Sequence, residues 1–228
     1  MTLWAKLVTE LVGTFIFLTV IAESGSAGPL APLAIGAALI AMVYMGGHVS
    51  GAHFNPAVSF GLFLRGVIPA STMAAYCATQ LIAGILAFVF GYLVSGHTPG
   101  IHPGVGVYWT SALAAEVVIT VALVLVVLNV AATTQTAGNS YYGLAIGLTV
   151  MAGAFTAGPI SGGAFNPAVG VGATLGAALF VDGSWSDLWL YIVGPLAGAA
   201  IAAGIHRTQT LRAPVLPEQS ERQVQDSA

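Results

Sequence analysis

A short motif that occurs twice constrains the fold of this chain more than any other feature. Residues 51–58 read GAHFNPAV and residues 162–169 read GGAFNPAV, so that Asn55 and Asn166 lie 111 residues apart. Asn is among the preferred N-cap residues, and Pro suits the first position of a helix, where its missing N–H would be unpaired anyway. An apolar run follows each Asn-Pro pair. The sequence therefore predicts two short helices, each preceded by a non-helical loop of small residues.

The scarcity of charged residues indicates a membrane protein with several spans. Only 6% of its residues are charged and 57% are hydrophobic, whereas a soluble domain carries about 25% charged residues. Five Lys and Arg residues are too few for a nucleic-acid surface, and a single Cys excludes an internal disulfide. We expect an all-α membrane protein, with residues 1–228 forming one transmembrane domain, the lipid bilayer as its partner, no nucleic acid and no cofactor.

Six apolar segments are long enough to cross a bilayer, since a spanning helix needs about 20 residues. The first could also be a signal peptide, but Glu10 lies inside its apolar core, which argues against cleavage. The polar residues 207–228 are predicted to form a mobile tail. The six predicted spans are residues 3–23, 30–48, 69–94, 108–131, 141–157 and 187–205.

The positive residues indicate the orientation of the spans. The loops 24–29, 95–107 and 159–186 contain no Lys or Arg. The positive-inside rule then predicts that both termini are cytoplasmic, in a multi-pass protein of the cell membrane. The two motifs enter the membrane from opposite sides under this topology. All five cations fall on the other side from those loops: Lys6, Arg65, Arg207, Arg212 and Arg222.

The two halves of the chain, about 3–94 and 108–206, share further features. Glu10 and Glu116 each lie in the first span of a half, and LAIG occurs at residues 33–36 and again at 144–147. Inverted-topology transport proteins show self-similarity of this kind. A carboxylate costs about 2.5–3.5 kcal/mol near the centre of a span. We interpret both Glu residues as acceptors for backbone N–H groups of the motif loops; the alternative is that they carry protons.

The short helices predict a pore. A helix from Pro56 to Leu64 is about 14 Å long, roughly half of the ~30 Å hydrocarbon layer, so two helices entering from opposite sides meet near the middle. Non-helical backbone at that depth is tolerated where it is buried in protein or lines a water-filled cavity. Asn55 and Asn166 would then donate hydrogen bonds into the lumen. The predicted ladder of carbonyl acceptors comprises Gly51, Ala52, His53, Gly162, Gly163 and Ala164.

The complete pattern resembles the aquaporin, or major intrinsic protein, family. It consists of a Glu in each half, Gln80 in the third span, Gly194-Pro195 in the sixth, and two Asn-Pro-Ala boxes. The resemblance implies six tilted helices and two half-helices around each pore. It also implies a homotetramer with one pore in each subunit, passing water and small neutral solutes. The boxes are Asn55, Pro56, Ala57, Asn166, Pro167 and Ala168.

The chain departs from that family at the outer constriction. Most members carry an Arg directly after the second box, where this chain has Val169, and matching the other positions places Ile35, Ala154 and Gly163 beside it. We call these four residues the filter. The departure predicts a wide, apolar, uncharged filter that admits small polyols, urea-like amides and undissociated metalloid acids besides water. Rejection of cations and protons is then expected from the positive N-termini of the half-helices.

Three classes of function compete at this stage. A passive channel needs carbonyl acceptors and few titratable groups in its lumen, as found here. A secondary transporter would couple a substrate at the broken helices to protons carried by Glu10 and Glu116. An intramembrane enzyme needs a nucleophile beside a base. Ser50 and Ser161 each precede a Gly, but Ser161 has no neighbouring His, and the sequence contains no His-Glu-x-x-His motif. The sequence favours the channel, with no catalytic and no metal-binding residues expected.

Overall fold

A computed structural model describes residues 1–210 of the chain. This part is all-helical and contains no strand, so the predicted all-α fold is confirmed. Two short 3-10 segments, Ser24–Leu30 and Thr134–Thr136, join longer helices. In chain order the α-helices are α1 Leu3–Glu23, α2 Ala31–Ser50, α3 Pro56–Leu64, α4 Ala70–Ser95, α5 Trp109–Ala131, α6 Tyr142–Ser161, α7 Pro167–Phe180 and α8 Leu190–Gln209.

Six of these helices are long enough to cross a bilayer. Among the described residues, five stretches have the length and hydropathy of a span, and the first of them, Leu3–Ser50, has 48 residues. A continuous helix of that length would measure about 72 Å, more than twice the ~30 Å of hydrocarbon. Gly28, with φ 53° and ψ −128°, interrupts it. The stretch therefore contributes two crossings, α1 and α2.

The alternation of the crossings defines two ends of the bundle. We call the end at which α1 begins the near face and the end at which α1 ends the far face. The loop before α3 enters from the near face, because α2 ends there, and the loop before α7 enters from the far face, because α6 ends there. The half-helices α3 and α7 have 9 and 14 residues. The observed α3 has the bounds that its Asn cap and apolar run predict.

The two halves pack in the same way about a central crossing. Helix α1 packs against α4 as α5 packs against α8, while each half-helix packs against the other half's last long helix, α3 on α8 and α7 on α4. Helices α2 and α6 meet at the centre. A Cβ added to Gly147 would lie 2.7 Å from the carbonyl oxygen of Gly36, so both backbones approach closely at the repeated LAIG sequences.

The ends of two spans differ from the sequence expectation. Helix α6 was predicted to end at residue 157 but continues to Ser161 with Pro159 in its last turns. Membrane helices tolerate Pro, and α6 ends where Gly162 has φ 92° and donates its N–H to the Gly158 carbonyl oxygen. Helix α8 extends to Gln209, so residues 207–209 of the predicted mobile tail are helical. The rest of that predicted tail, from residue 211, lies outside the described residues.

Candidate functional site

A cavity of about 290 Å³ lies between the helices and contains both motif loops in its wall. All four filter positions line it, as do Asn55 and Asn166. Five of the six predicted carbonyl positions also line it: Ala52, His53, Gly162, Gly163 and Ala164; Gly51 is not among the described residues that do. Within residues 1–210, no Lys, Arg, Asp or Glu side chain lines this cavity. Its wall is therefore apolar apart from a few neutral polar groups and loop backbone.

The two motif loops follow the same backbone path. Gly51 and its repeat mate Gly162 have φ of 90° and 92°, and Phe54 and its mate Phe165 have φ of 48° and 50°. Positive φ in a non-Gly residue is uncommon and costs about 1–2 kcal/mol. Such strain persists where the surroundings over-determine the conformation, as at binding sites. Packing and hydrogen bonds must therefore hold both loops in place.

Each motif Asn caps its own half-helix and is bonded to the opposite loop. Asn55 Oδ1 accepts from Ala57 N–H at 2.8 Å, and Asn55 Nδ2 donates to the carbonyl oxygen of Phe165 at 2.9 Å. Asn166 makes the corresponding bonds to Ala168 N–H and to the carbonyl oxygen of Phe54, both 2.9 Å long. A side-chain amide has two N–H donors. Each Asn therefore retains one N–H for a molecule in the cavity.

Glu10 is fully buried and binds the first motif loop. Its carboxylate accepts from the backbone N–H groups of His53 at 3.0 Å and Phe54 at 2.8 Å. The Ser50 hydroxyl and the Gln80 side-chain amide donate to it at 2.6 Å and 2.8 Å. Hydrogen bonds to a carboxylate are stronger than neutral ones. Four donors thus hold the carboxylate and, through it, the strained loop.

Glu116 does the same for the second motif loop. It is fully buried and accepts from Ala164 N–H at 3.0 Å, Phe165 N–H at 2.7 Å and the Ser161 hydroxyl at 2.7 Å. Among the described residues, no side-chain amide donates to Glu116 as Gln80 does to Glu10. The Tyr191 hydroxyl donates to the Ser161 carbonyl oxygen at 2.6 Å. Neither carboxylate lines the cavity.

Sequence reasoning missed several members of this support. Ser50 and Ser161 were considered only as nucleophiles, although each stands directly before the first Gly of a motif copy and so repeats with it. Gln80 entered only through the family resemblance. Tyr76, whose hydroxyl donates to the Ser50 carbonyl oxygen at 2.9 Å, carries no signal in the sequence, because it does not repeat at the spacing of the motifs.

The four filter residues come from four different places in the fold. Ile35 lies in α2, Ala154 in α6, Gly163 in the second loop, and Val169 in the first turn of α7. The Val169 side chain is only 3% exposed, and its N–H bonds to the Asn166 carbonyl oxygen at 3.0 Å. At the place where the family resemblance implies a guanidinium, the cavity wall thus has a small branched hydrocarbon.

The linker between α4 and α5 also contributes to the cavity, which the sequence did not predict. Pro99, Gly100 and Ile101 line its wall near the far face. This linker has neither helical nor strand periodicity and no counterpart in the other half of the chain, so no sequence pattern placed it over the second motif loop.

Comparisons with known proteins agree with this arrangement. Residues 1–206 match the family described as Major intrinsic protein. The chain is 41% identical over 177 residues to Aquaporin NIP1-4 of Oryza sativa subsp. japonica, covering 77% of this chain and 63% of that relative. It is 34% identical over 212 residues to Aquaporin NIP1-1 of Zea mays, covering 87% of this chain and 72% of that relative. It thus spans slightly less than two thirds of the rice protein.

A solved structure is similar in fold. The aquaglyceroporin from Plasmodium falciparum superposes with a TM-score of 0.78 at 22% identity, covering 90% of this chain and 96% of that chain. At this identity the similarity supports the fold alone. The match over residues 1–206 covers nearly the whole described chain. The chain accordingly belongs to the major intrinsic protein family, which consists of transmembrane channels for water and small solutes rather than enzymes.

Proposed function

We propose that this chain is a passive channel for water and for neutral solutes larger than water, with a wide, apolar filter formed by Ile35, Ala154, Gly163 and Val169. One observation carries the proposal: Val169 lines the cavity in the position of the family's Arg, and no charged side chain of the described residues lines it. A guanidinium would narrow the passage and bind water or anions there. Without it, the filter selects by size and by hydrogen bonding.

The chemistry of the wall supports a class of solutes. Apolar side chains provide most of the surface, while the loop residues 52–53 and 162–164 present carbonyl acceptors and the two motif Asn residues present donors. Small polyols, urea-like amides and undissociated metalloid acids are neutral and can both donate and accept hydrogen bonds. Such solutes exchange hydration for these groups, whereas an ion would lose hydration without an opposite charge to replace it.

Rejection of cations and protons is assigned to the middle of the pore. The N-termini of α3 and α7 each carry roughly half a positive elementary charge, and they approach each other where Asn55 and Asn166 bond the opposite loops. A water molecule that accepts hydrogen bonds from both Asn residues turns its own protons away, which interrupts a proton-conducting chain. Glu10 and Glu116 serve in this proposal to hold the loops.

The setting of the channel follows the same reasoning. Lys6, Arg65 and Arg207 all lie at the near face, while the far-face segments 24–30, 96–108 and 181–189 contain no Lys or Arg. By the positive-inside rule, we assign the near face and both termini to the cytoplasm and the protein to the cell membrane. The family resemblance supports a homotetramer with a pore in each subunit.

A proton-coupled transporter is the alternative that the sequence leaves open. Coupling through Glu10 and Glu116 would require these carboxylates to exchange protons with the lumen during transport. Both are fully buried, and their oxygens accept hydrogen bonds from loop N–H groups, Ser hydroxyls and the Gln80 amide. These contacts favour a supporting role for both residues and therefore favour the channel.

Shrink–swell kinetics of reconstituted vesicles test the proposal. An impermeant osmolyte reports water flux, and glycerol and urea report solute entry through the rate of volume recovery. We expect fast water flux and fast solute recovery in the native protein. Val169→Arg should lower solute flux more than water flux, while the uncharged control Val169→Leu should retain most solute flux. Fast water flux without solute entry in the native protein would contradict the wide filter while leaving the channel in place.

A further inference from the structure

We propose that Ile101, in the linker between the two halves, is a further specificity-determining residue of this pore and limits the cross-section of the solutes that pass. The inference rests on the proposed function, because it concerns the size limit of the same solute pathway. It adds a residue outside the filter and outside both motifs.

The position of Ile101 is unusual for a loop residue. The segment from residue 97 to residue 104 has no regular secondary structure, yet Ile101 is only 9% exposed and belongs to the buried apolar core. It lines the same cavity as Val169 and Ile35. Loops normally run over the surface, so an apolar loop side chain directed into a pore needs a local cause.

That cause is close contact between the linker and the second motif loop. A Cβ added to Gly162 would lie 2.8 Å from Ile101 Cγ1 and 2.9 Å from the carbonyl oxygen of His102. Only a glycine leaves room for this approach, and Gly162 also has a φ of 92°. Gly163, which follows Gly162 in the chain, is a filter position. Ile101 therefore contacts the immediate neighbour of a filter residue.

Two further contacts fix the linker directly after Ile101. Gly104 N–H donates to the Ile160 carbonyl oxygen at 3.0 Å, tying the linker to the end of α6. On the other side of the mouth, His102 Nδ1 lies 3.8 Å from Asp187 Oδ2, just before α8. Because both anchors lie within three residues of Ile101, which itself contacts Gly162, Ile101 is positioned by the fold rather than left to move with an exposed loop.

The near-face and far-face motif loops differ in whether the linker covers them. At the near-face loop, a Cβ added to Gly51 would approach only the ring of His53, a residue of the same motif. At the far-face loop, the mate Gly162 is covered by the linker. The repeat therefore gives two similar loops, and the linker, which has no repeat mate, makes the far-face half the more restricted one.

The chemistry of Ile101 determines how it selects. A branched hydrocarbon offers no hydrogen bond, so with Val169 and Ile35 it encloses a passage in which a solute can bond only to loop backbone and the motif Asn residues. Removing its branched end leaves polarity unchanged and adds space. In an apolar pocket, space for a single methylene changes discrimination by about tenfold or more. Ile101 should therefore act on solute size and leave water unaffected.

The test compares Ile101→Ala with Val105→Ala in reconstituted vesicles. Val105 lies in the same linker but is fully exposed, so its truncation controls for changes in linker composition. Solute entry is measured with glycerol and with erythritol, and water flux with an impermeant osmolyte. We expect Ile101→Ala to raise the erythritol-to-glycerol permeability ratio about tenfold, with water flux unchanged. Val105→Ala should keep the native ratio.

Chemical modification of cysteine variants provides a second readout, which does not depend on how well Ile101→Ala folds. In a Cys77→Ala background, Ile101→Cys and Val105→Cys are treated with a small thiol-reactive methanethiosulfonate. Labelling should reduce glycerol flux in the first variant and leave it unchanged in the second. Complete labelling of Ile101→Cys with no loss of glycerol flux would overturn the inference.

The outcomes separate this inference from the proposed function. Suppose that the native protein conducts glycerol, that Val169→Arg lowers this flux, and that Ile101→Ala leaves the erythritol-to-glycerol permeability ratio unchanged. This result would overturn the role of Ile101 and leave the wide filter standing. No solute entry in either the native protein or Ile101→Ala would overturn both. Solute entry that appears only in Ile101→Ala would support the role of Ile101 and show that the native filter is narrower than its four residues indicate.

Discussion

Asn55 and Phe165 lie 110 residues apart in sequence and are joined by a hydrogen bond of 2.9 Å from the side-chain amide to the backbone carbonyl oxygen. The reciprocal bond from Asn166 to Phe54 has the same length. These two bonds link the loops that enter from opposite faces. They also orient each Asn amide, so that one donor is satisfied by protein and the other is available to the cavity.

The first prediction concerns charge at this point. Asn55→Asp and Asn166→Asp keep an acceptor for the helix cap but replace a donor with a negative charge near the positive ends of both half-helices. Unit charges ~4 Å apart interact by about 4 kcal/mol at an effective dielectric constant of about 20, and about 1.4 kcal/mol of barrier changes a rate tenfold. We expect proton leak to rise at least about tenfold, as measured with a pH-sensitive dye inside vesicles.

A control is needed for loosened packing at the motif. Asn55→Ser keeps a capping oxygen and adds no charge, so it should alter water flux without a comparable proton leak. Equal proton leak in the Ser and Asp variants would contradict an electrostatic barrier and would indicate a merely widened passage.

The second prediction concerns the buried carboxylates. In the native protein the buried donors face carboxylate oxygens. Glu10→Gln and Glu116→Gln each replace one of these oxygens with an amide NH₂, which leaves at least one buried donor without a partner. Such a loss costs about 1–3 kcal/mol. We expect both variants to unfold at lower temperature in detergent and to show reduced water flux, because the strained motif loops lose their support.

The same variants distinguish a channel from a proton-coupled transporter. Solute flux through the native protein should not respond to an imposed proton gradient in vesicles. A gradient-dependent flux that Glu10→Gln abolishes without loss of thermal stability would contradict the supporting role and favour coupled transport.

Much of this architecture is predictable from the sequence because its determinants are local or repeated. Asn55 followed by Pro56 specifies where α3 begins, and the observed start agrees. The long apolar segments of the chain specify where the membrane-spanning helices lie. The two Glu residues can be paired with the motif loops because they recur once in each half and because a buried carboxylate needs donors.

The remainder depends on contacts that no local pattern encodes. Tyr76 and Tyr191 both donate to the carbonyl oxygen of a motif Ser, but they occupy different registers in their halves, so the repeat does not predict them. Ile101 lies in a linker whose path is set by contact with Gly162. The end of α6 is a local signal that Pro159 obscures in the sequence, because Gly162 caps the helix with φ 92° and donates its N–H to the Gly158 carbonyl oxygen.

The third prediction concerns the crossing of α2 and α6. A Cβ added to Gly36 would lie 2.6 Å from Met151 Cβ, and one added to Gly147 would lie 2.3 Å from Ile40 Cγ1. Gly36→Ala and Gly147→Ala should therefore push apart two helices that carry filter residues, at a cost of about 1–3 kcal/mol for overpacking. Thermal unfolding in detergent and the glycerol-to-water flux ratio measure the two effects.

Gly204→Ala in α8 is the matched control for that comparison. No other side chain or distant backbone lies within 4 Å of a Cβ at this position, and Ala has the higher helix propensity by about 1 kcal/mol. Gly204→Ala should leave flux unchanged and stability equal or higher. If Gly36→Ala, Gly147→Ala and Gly204→Ala behaved alike, the close approach of the α2 and α6 backbones would not be what limits substitution at Gly36 and Gly147.

The fourth prediction uses the one place where the two motif loops differ in their requirement for glycine. Gly163 has φ 74° and its mate Ala52 has φ 50°, yet only Gly163 is a filter position. A methyl group at Gly163 would lie 3.1 Å from Gly158 Cα in a conformation that costs a non-Gly residue about 1–2 kcal/mol. Gly163→Ala should destabilise the protein and reduce glycerol flux more than water flux.

Ala52→Gly should change stability by no more than about 1 kcal/mol and leave the flux ratio at its native value. A Gly163→Ala protein that folds normally and keeps the native glycerol-to-water ratio would show that the narrowest point of the pore lies away from this loop, since the added methyl group could not then be in the path of the solute.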